Sequence, residues 1–241
     1  MTLRKMLKSL EMDGKNALRS ILAPRAIRAL EEAAARVKTL EEAVALSSEF
    51  NYWHIRLDPS QIAGEILQLL QLLSTNPPQT VLEIGTYRGG TFFLFTRVAC
   101  ADALLISLDM PPSRSGLGYP PWRRGLFRSF ARAQQKIELV LADSHQPVTL
   151  AQIEKLLGSR RLDFLFIDGD HSYEGVKSDY EMYSQLVSSG ALIAFHDIVP
   201  RVGFDSGVPR FWQELKNTMP VTEFVADWKQ DGFGIGVVRK S

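Results

Sequence analysis

The sequence has 241 residues, a formal net charge of +1 and a single cysteine, Cys100. Apolar residues make up 45% of it and charged residues 23%, the composition of an ordinary globular protein with a sizeable core. The balanced charge excludes bulk electrostatic attraction to nucleic acid or to a membrane, and no apolar run is long enough for a transmembrane helix. Cys100 cannot form an internal disulfide, and no apolar signal core follows the basic N-terminus, so we expect a cytoplasmic protein.

We predict that residues 1–58 form a helical extension and that residues 59–241 form an α/β domain. Met1–Leu30 carries seven basic residues against two acidic ones, and its apolar residues recur at helical spacing. This helix either lies on an anionic membrane or a partner chain, or packs on the domain or on a second copy of the chain. The modest basic face favours packing, and both a peripheral membrane contact and a homo-oligomer stay open.

The next segment leads from the extension to the first strand of the sheet. Ala26–Leu46 is predicted to continue the helix, and Asn51–Ile55 then breaks the helical composition with aromatic residues. Three side chains there either cover the ligand-binding end of the sheet as a lid or pack as ordinary residues: Tyr52, Trp53 and His54. Pro59 precedes a further amphipathic helix, Gln61–Leu73, whose apolar residues fall on one face.

Thr80–Thr91, with the sequence TVLEIGTYRGGT, has the order of a strand, a glycine turn and a helix. Glycines let the backbone approach a ligand closely, and the start of a helix offers free N–H groups. The spacing is Glu-x-Gly-x-x-x-Gly, which differs from the Gly-x-Gly-x-x-Gly of dinucleotide-binding enzymes. The segment is either a purely structural turn or a cofactor loop. It resembles the first motif of class I S-adenosylmethionine-dependent methyltransferases, in which this acid and these glycines hold the methionine end of the cofactor.

From residue 80 onward, short apolar runs alternate with segments of helical periodicity, which indicates a parallel sheet with helices on both faces. After the first strand the predicted strands are Leu104–Leu108, Ile137–Leu141, Leu162–Ile167 and Ala191–Phe195. Val221–Val225 and Phe233–Val238 follow as strands joined by a link short enough for a hairpin. The predicted fold is therefore a doubly wound, Rossmann-like, seven-stranded sheet with an antiparallel C-terminal hairpin. This ending resembles class I methyltransferases rather than NAD-binding proteins.

In such a sheet, ligands bind beyond the carboxyl ends of the strands. Four consecutive strands end in acidic residues, and a buried carboxylate is costly unless it is paired or coordinated. A carboxylate at Asp109 can accept both hydroxyls of a ribose, and Asp143 is placed to border an adenine. Any one acid could cap a helix, but together they predict a site. The polar residues near the strand ends are Glu83, Thr86, Tyr87, Asp109, Asp143, Ser144, Asp168, Asp170, His171, His196 and Asp197.

The fourth and fifth strands, FLFIDGDHSYEGVKSDY and GALIAFHDIVP, resemble a group of S-adenosylmethionine-dependent O-methyltransferases. The group includes the cephalosporin hydroxylase-like proteins and the macrolide sugar methyltransferases, with catechol O-methyltransferase as a more distant relative. The resemblance implies S-adenosylmethionine binding by Glu83, Gly85, Thr86, Tyr87, Gly89, Asp109, Met110, Asp143, Ser144 and Asp168. It also implies a divalent cation, Mg²⁺ or Mn²⁺, held by Asp168, His196 and Asp197. His171, three residues after the first metal acid, would act as the catalytic base beside Asp168.

The His196–Asp197 pair departs from the pattern, because the sugar enzymes have Glu-Asp there and the catechol enzyme has Asp-Asn. Imidazole is a poorer ligand for Mg²⁺, which prefers oxygen. Three alternatives follow: a softer ion is used, or two acids and water hold the ion without His196, or no metal binds and His196 is the base. His171 in turn is either the base or a loop histidine before a helix capped by Ser172. Asp170 is a reserve ligand or pairs with a helix start.

Two loops are expected to border the substrate pocket: Met110–Phe127, which carries Arg114, Arg123 and Arg124, and Arg201–Pro209. Tyr119 and Trp122 either stack on a sugar or aromatic ring or pack on the domain. The sequence thus predicts an O-methyltransferase that acts on a hydroxyl of a small sugar-containing or natural-product metabolite. The alternatives are a non-catalytic cofactor-binding module attached through its N-terminal helices, and an oxidoreductase or hydroxylase on the same scaffold.

Overall fold

The structure, a computed structural model, describes residues 3–112, 118–204 and 206–241, with the backbone alone for residues 3–13. Arg114 of the first predicted substrate loop lies outside the described residues. The helices are α1 (Leu3–Ala34), α2 (Leu40–Glu49), α3 (Ala63–Ser74), α4 (Gly90–Val98), α5 (Arg123–Arg128), α6 (Pro147–Leu157), α7 (Tyr173–Tyr183) and α8 (Val208–Lys216). Within the described ranges, none of them has the length and hydropathy needed to cross a bilayer.

Two sheets are present in the described part of the chain. A short hairpin pairs β1 (Asn51–Tyr52) with β2 (Ile55–Arg56). The main sheet contains β3 (Thr80–Ile84), β4 (Leu104–Asp109), β5 (Lys136–Leu141), β6 (Leu162–Ile167), β7 (Val187–His196), β8 (Val221–Phe224) and β9 (Ile235–Arg239). Its order is β5-β4-β3-β6-β7-β9-β8. The strands from β3 to β7 are parallel, whereas β9 runs antiparallel to both β7 and β8. The predicted fold is confirmed.

The central strand β3 shows why this sequence forms a covered sheet. All five of its residues are buried, as expected for a strand with helices on both faces. Val81 points into one hydrophobic core with helices α1 to α5, whereas Leu82 and Ile84 point into a second core with α6, α7 and α8. The two cores hold the sheet as the middle of three layers, and this fixes where its strand ends lie.

The helix predicted to run through Ala26–Leu46 is interrupted between α1 and α2. Thr39 is the N-cap of α2: its hydroxyl accepts a hydrogen bond from the Glu42 backbone N–H at 3.2 Å. The Glu42 carboxylate accepts in return from the backbone N–H of Lys38 at 2.6 Å and of Thr39 at 3.4 Å. This reciprocal capping satisfies N–H groups that would otherwise lack partners, so it ends one helical segment and starts another.

Other parts of the chain also differ from the sequence prediction. The helix predicted from Gln61 begins at Ala63, which leaves Gln61 free to reach the strand ends. The predicted strand Ala191–Phe195 begins four residues earlier, at Val187. The aromatic break at Asn51–Ile55 is the β1–β2 hairpin, and Trp53 at its tip is 71% exposed.

The extension packs on the rest of the chain instead of standing apart from it. Ala26 and Leu30 of α1 and Ala43 of α2 are at most 2% exposed and belong to the same core as α3 and α4. At the far end of α4, Cys100 is half-buried and its thiol donates a hydrogen bond to the Pro77 carbonyl at 3.2 Å. That contact lies just before β3 begins, on the side of the sheet opposite the carboxyl ends of the parallel strands.

Candidate active site

A cavity of about 840 Å³ opens at the carboxyl ends of the parallel strands. It lies where the strand order reverses between β3 and β6, the position at which open α/β sheets bind ligands. Its volume is in the range of cofactor and substrate sites. The predicted residues that line it are Gly85, Thr86, Tyr87, Asp109, Met110, Asp143, Ser144, Asp168, His171, His196 and Asp197.

The glycine turn after β3 contains three residues with positive φ: Gly85, Tyr87 and Gly89. Gly85 has φ +90°, and a Cβ there would overlap the backbone carbonyl of Asp168. Gly89 has φ +85° and forms the left-handed N-cap of α4, where a Cβ would overlap the ring of Phe127. Gly85 therefore lines the cavity and brings β3 against β6, whereas Gly89 is absent from the cavity wall and shapes the helix start.

Glu83 stands one layer behind the cavity wall and does not line it. It is fully buried, and neither of its carboxylate oxygens has a hydrogen-bond partner among the described residues. Burial raises the pKa of Glu83 well above its usual range, and the nearby acids Asp168 and Asp109 raise it further against a lowering contact from Thr86. Burial therefore favours the neutral carboxylic acid form of this side chain.

Asp109, at the end of β4, is held by backbone N–H groups of the glycine turn. Its Oδ2 accepts from Tyr87 at 2.7 Å and from Thr86 at 3.2 Å, and its Oδ1 accepts from Met110 at 2.7 Å. Burial raises the pKa of Asp109, while these N–H groups act in the opposite direction. The contacts fix the carboxylate at the cavity wall, and its remaining lone pairs can accept from a ligand.

The loop after β5 presents Asp143 and Ser144 to the same cavity. The Asp143 carboxylate accepts from the His145 backbone N–H and from the Gln146 side chain, each at 3.0 Å, and the Gln146 contact is the main cause of its lowered pKa. The backbone of Ser144 is anchored because the Tyr183 hydroxyl donates to its carbonyl at 2.8 Å. These hydrogen bonds fix the conformation of the loop after β5 at the cavity wall.

An acid–histidine cluster occupies the other half of the cavity, at the ends of β6 and β7. His171 Nε2 lies 3.1 Å from Asp197 Oδ2 and 3.4 Å from Asp168 Oδ1. His196 Nδ1 lies 3.1 Å from the same Asp168 oxygen. Ligand atoms of Asp168, His171 and Asp197 all fall within 4.8 Å of one another, so these three could surround one ion.

His196 has a different place from the one predicted for a ligand. It is 4% exposed, its Nδ1 faces Asp168, and its Nε2 is buried without a hydrogen-bond partner among the described residues. The cluster that converges on one point therefore contains His171 where the resemblance implied His196. This geometry matches the alternative in which His196 supports Asp168 from behind and two acids approach the ion.

The four side chains set one another's charge. Burial raises the pKa of Asp168, but His196 and His171 outweigh it and lower the pKa to about 2. The close carboxylates of Asp168 and Asp197 raise the pKa of His171 to about 10. Burial lowers the pKa of His196 and raises that of Asp197, but the opposite charges beside them reverse both shifts. The two carboxylates and the two imidazoles of the cluster therefore favour one another's charged forms.

Comparison with known proteins agrees with this geometry. Residues 82–198 match a family described as a methyltransferase domain. This part of the chain, from β3 to the end of β7, is similar to methyltransferase domains. TomG from Streptomyces achromogenes, an O-methyltransferase involved in tomaymycin synthesis and solved with SAM, superposes with a TM-score of 0.56 at 15% identity, over 86% of this chain and 92% of that one. The O-methyltransferase from Bacillus cereus, solved with SAH, gives a TM-score of 0.54 at 20% identity, over 85% and 93%.

A curated relative is the uncharacterized protein y4gI of Sinorhizobium fredii, 26% identical over 156 residues. The match covers 61% of this chain, and the chain spans only 16% of the length of that protein. These findings confirm the predicted methyltransferase class and its Rossmann-like sheet. The roles of the individual residues in the methyltransferase site stay predictions.

The sequence interpretation missed residues that reach the methyltransferase site from outside the strand ends. Gln61 donates to Asp168 Oδ2 at 3.1 Å and accepts from the Thr91 hydroxyl at 2.6 Å. Asp58, Pro59 and Ser60 form the cavity wall where Tyr52, Trp53 and His54 were lid candidates, and those three do not line it. Asp58 pairs with Arg88 of the glycine turn. The non-helical stretch after Pro59 is the one sequence signal that could have drawn attention to this segment.

The two predicted substrate loops meet the cavity in part. Met110, Gly118, Arg201 and Phe204 line it. Tyr119 is fully buried with its ring centroid 4.7 Å from that of Phe127, so it packs on the domain. Trp122 donates to Asn16 of α1 at 3.3 Å and does not line the cavity. Asp170 accepts from the Ser172 backbone N–H at 2.8 Å, the helix-start role weighed for it.

Proposed function

We propose that this protein is an S-adenosylmethionine-dependent O-methyltransferase that acts on a hydroxyl group of a small sugar-containing or natural-product metabolite. The observation that carries the proposal is a single cavity with two chemically distinct halves. One half has Asp109 and the glycine turn, and the other has the Asp168–His171–Asp197 cluster. The likeness to TomG, which is involved in tomaymycin synthesis, supports a metabolite as the acceptor.

The cofactor half fits S-adenosylmethionine in its chemistry. Asp109 is fixed by three backbone N–H groups and keeps acceptor capacity for the two ribose hydroxyls. The absence of a side chain at Gly85 gives a ligand access to the backbone between β3 and β6. Asp143 and Ser144 border the neighbouring stretch of wall, where the adenine would lie. Glu83 supports this half from behind the wall, as a buried acid next to Thr86 whose pKa is raised by burial.

The acceptor half fits a divalent cation held by the carboxylates of Asp168 and Asp197, with His171 beside it. Carboxylate oxygens are ligands that suit both Mn²⁺ and Mg²⁺. A cation there would lower the pKa of a bound hydroxyl and fix its orientation. His196 would hold Asp168 in place through its 3.1 Å contact without itself approaching the ion.

The chain's own residues then prepare the acceptor oxygen. When bound, S-adenosylmethionine supplies a methyl group on a sulfonium, and its transfer to an oxygen leaves a neutral thioether. An aliphatic hydroxyl is a poor nucleophile at neutral pH, so its proton must be removed by a base within hydrogen-bond reach. His171 is that base once its own proton has left: its side chain lines the cavity, and its Nε2 lies between the two carboxylates, which stabilise the imidazolium that forms when it takes the acceptor's proton. Arg201 and Phe204 line the wall beside it and would contact the acceptor.

Calorimetric titration with S-adenosylhomocysteine tests the cofactor half. We expect saturable binding that Asp109→Ala weakens at least about tenfold, or about 1.4 kcal/mol. The matched control is Asp102→Ala, an exposed aspartate before β4 at the opposite edge of the sheet. Absence of binding to the wild-type protein, with or without Mn²⁺, would contradict the proposal.

Turnover tests the acceptor half. Hydroxylated sugars and catechols are offered as acceptors with Mn²⁺ and labelled S-adenosylmethionine, and His171→Gln should lower kcat by about a hundredfold or more. Tight S-adenosylhomocysteine binding without methylation of any acceptor would favour the non-catalytic module that the sequence left open.

A further inference from the structure

A second cavity, of about 320 Å³, is lined among the described residues by basic side chains alone. It lies between α1, the β1–β2 hairpin, the glycine turn and α5. None of its lining residues has a catalytic or cofactor-binding role in the proposed methyltransferase chemistry, although His54 was a lid candidate and Arg123 lies in a predicted substrate loop. They are Arg19, His54, Arg56, Arg88 and Arg123.

Arg123 is the fixed floor of this basic cavity. It is 7% exposed, and its Nη1 donates to the backbone carbonyls of Arg88 at 2.9 Å and of Arg56 at 3.1 Å. Its guanidinium also stacks on the Trp122 ring at 4.7 Å. One arginine thus ties the hairpin, the glycine turn and α5 together, and it does so without a carboxylate partner among the described residues.

The charge of the basic cavity is not balanced by the chain. Among the described residues, Asp58 is the acid that forms an ion pair with a residue lining this cavity, Arg88. Four guanidinium groups against this one carboxylate leave a net charge of +3 before His54 is counted. Burial lowers the pKa of Arg123 to about 9, and repulsion from Arg88 and Arg19 adds to that shift. Like charges held together in this way are costly unless a ligand offsets them.

We propose that the basic cavity binds the phosphate group of a phosphate monoester or diphosphate. Guanidinium groups present planar forks of N–H donors that match phosphate oxygens in pairs. Arginines from four separate segments face one space, so several oxygens of one group can be contacted at once. A charge of +3 is better offset by a di- or trianion than by a single carboxylate. A volume of about 320 Å³ also leaves room for more than one phosphate.

The same phosphate chemistry can come from a soluble metabolite or from a lipid headgroup. Two segments of the cavity also carry exposed, large apolar side chains. On α1, beside Arg19, Leu18 is 56% exposed and Ile21 74%, and in the hairpin Trp53 is 71% exposed. Exposed apolar residues beside a basic site are also the pattern of a membrane-surface contact. The experiment therefore offers the phosphate in both forms.

Calorimetric titration of the full chain with pyrophosphate at low ionic strength is the first arm, because added salt screens such contacts. The variant is the double substitution Arg19→Gln and Arg56→Gln, at two cavity positions that are not fully buried. The matched control is Arg25→Gln with Arg28→Gln, two exposed positions on the same helix α1 with the same loss of charge. We expect the first pair to weaken pyrophosphate binding at least about tenfold and the second less than about twofold.

Co-sedimentation with phosphatidylcholine vesicles, with and without phosphatidic acid, is the second arm. If phosphatidic acid vesicles bind with the same dependence on the two variants while pyrophosphate does not, the phosphate belongs to a lipid. Equal unfolding midpoints of all three proteins show that the comparison is between folded chains. The proposal is overturned if neither probe binds saturably, or if the Arg25/Arg28 pair loses as much binding as the Arg19/Arg56 pair. Neither result depends on methyl transfer, so a failure of this phosphate-site proposal can be told apart from a failure of the proposed methyltransferase activity.

Discussion

The proton on His171 occupies the place that a cation would take. With a pKa of about 10, the imidazole is charged at neutral pH and offsets Asp168 and Asp197. A divalent ion bound to the same carboxylates would repel that charge, so binding must release the proton. His171 can therefore serve as ligand or base only after the proton has left, and the metal-free and metal-bound clusters differ by at least one proton.

This competition predicts that Mn²⁺ affinity rises between pH 7 and about 10. Calorimetry in buffers of different ionisation enthalpy should show proton release on Mn²⁺ binding, and His171→Gln should release about one proton fewer. His54→Gln, at an exposed histidine outside the cluster, is the control. A Mn²⁺ affinity that does not change over this pH range would contradict the proposed roles of His171.

The raised pKa of Glu83 leads to a second prediction. An acid whose pKa is raised on folding destabilises the folded chain increasingly as the pH rises above its unfolded value towards its folded value. Glu83→Gln removes that titration and keeps the shape, so we expect the variant to be more stable than the wild type at pH 8 by about 1–2 kcal/mol, with a smaller difference at pH 5.

Urea denaturation at the two pH values measures this difference. Glu138→Gln, at an exposed position on the edge strand β5, should change stability equally little at both. A Glu83→Gln variant that is less stable than the wild type at pH 8 would show that the carboxyl group has a stabilising contact in the native chain.

Among the elements, the glycine turn after β3 carries a close approach of backbone to backbone in the site. Gly85→Ala places a Cβ on the Asp168 carbonyl and the Gly169 backbone, and it also strains φ. We expect it to cost about 3–5 kcal/mol in the free energy of unfolding. Gly190→Ala is the matched control, because Gly190 has φ +81° but open space around its Cβ position, and should cost about 1–2 kcal/mol. Equal losses in urea denaturation would mean that the strand contact is not a constraint.

The elements also show what the sequence could and could not predict. Apolar runs and their spacing predicted the order of strands and helices, and parallel strands bring residues such as Asp109 and Asp168 to one edge by geometry alone. The contact of Gln61 with Asp168 joins residues 107 apart and has no local signal. The T-x-x-E signal of Thr39 and Glu42 was present and marks the start of α2. Successive side chains of a strand point to opposite faces, so a shift of one residue near the turn decides whether an acid faces the cavity or, like Glu83, lies behind its wall.

For the molecule as a whole, the N-terminal helices share a core with the methyltransferase domain. Leu30→Ala on α1, where the side chain is 2% exposed, should lower the free energy of unfolding by about 2–5 kcal/mol. Leu18→Ala on the same helix is 56% exposed and should change it by less than about 0.5 kcal/mol. Urea denaturation of both variants tests the proposed boundary after residue 58: a harmless Leu30→Ala would mean that α1 is a separate attachment arm.

The direction of α4 across the molecule has a practical consequence. The helix begins at the glycine turn beside the cavity and ends at the opposite edge of the sheet, where Cys100 follows. Cys100 is the one cysteine in the sequence and its thiol is half-buried. A maleimide dye or a surface linker would therefore attach at one defined position, far from the mouth of the cavity. The unaltered chain can be tethered and still present its strand ends to solution.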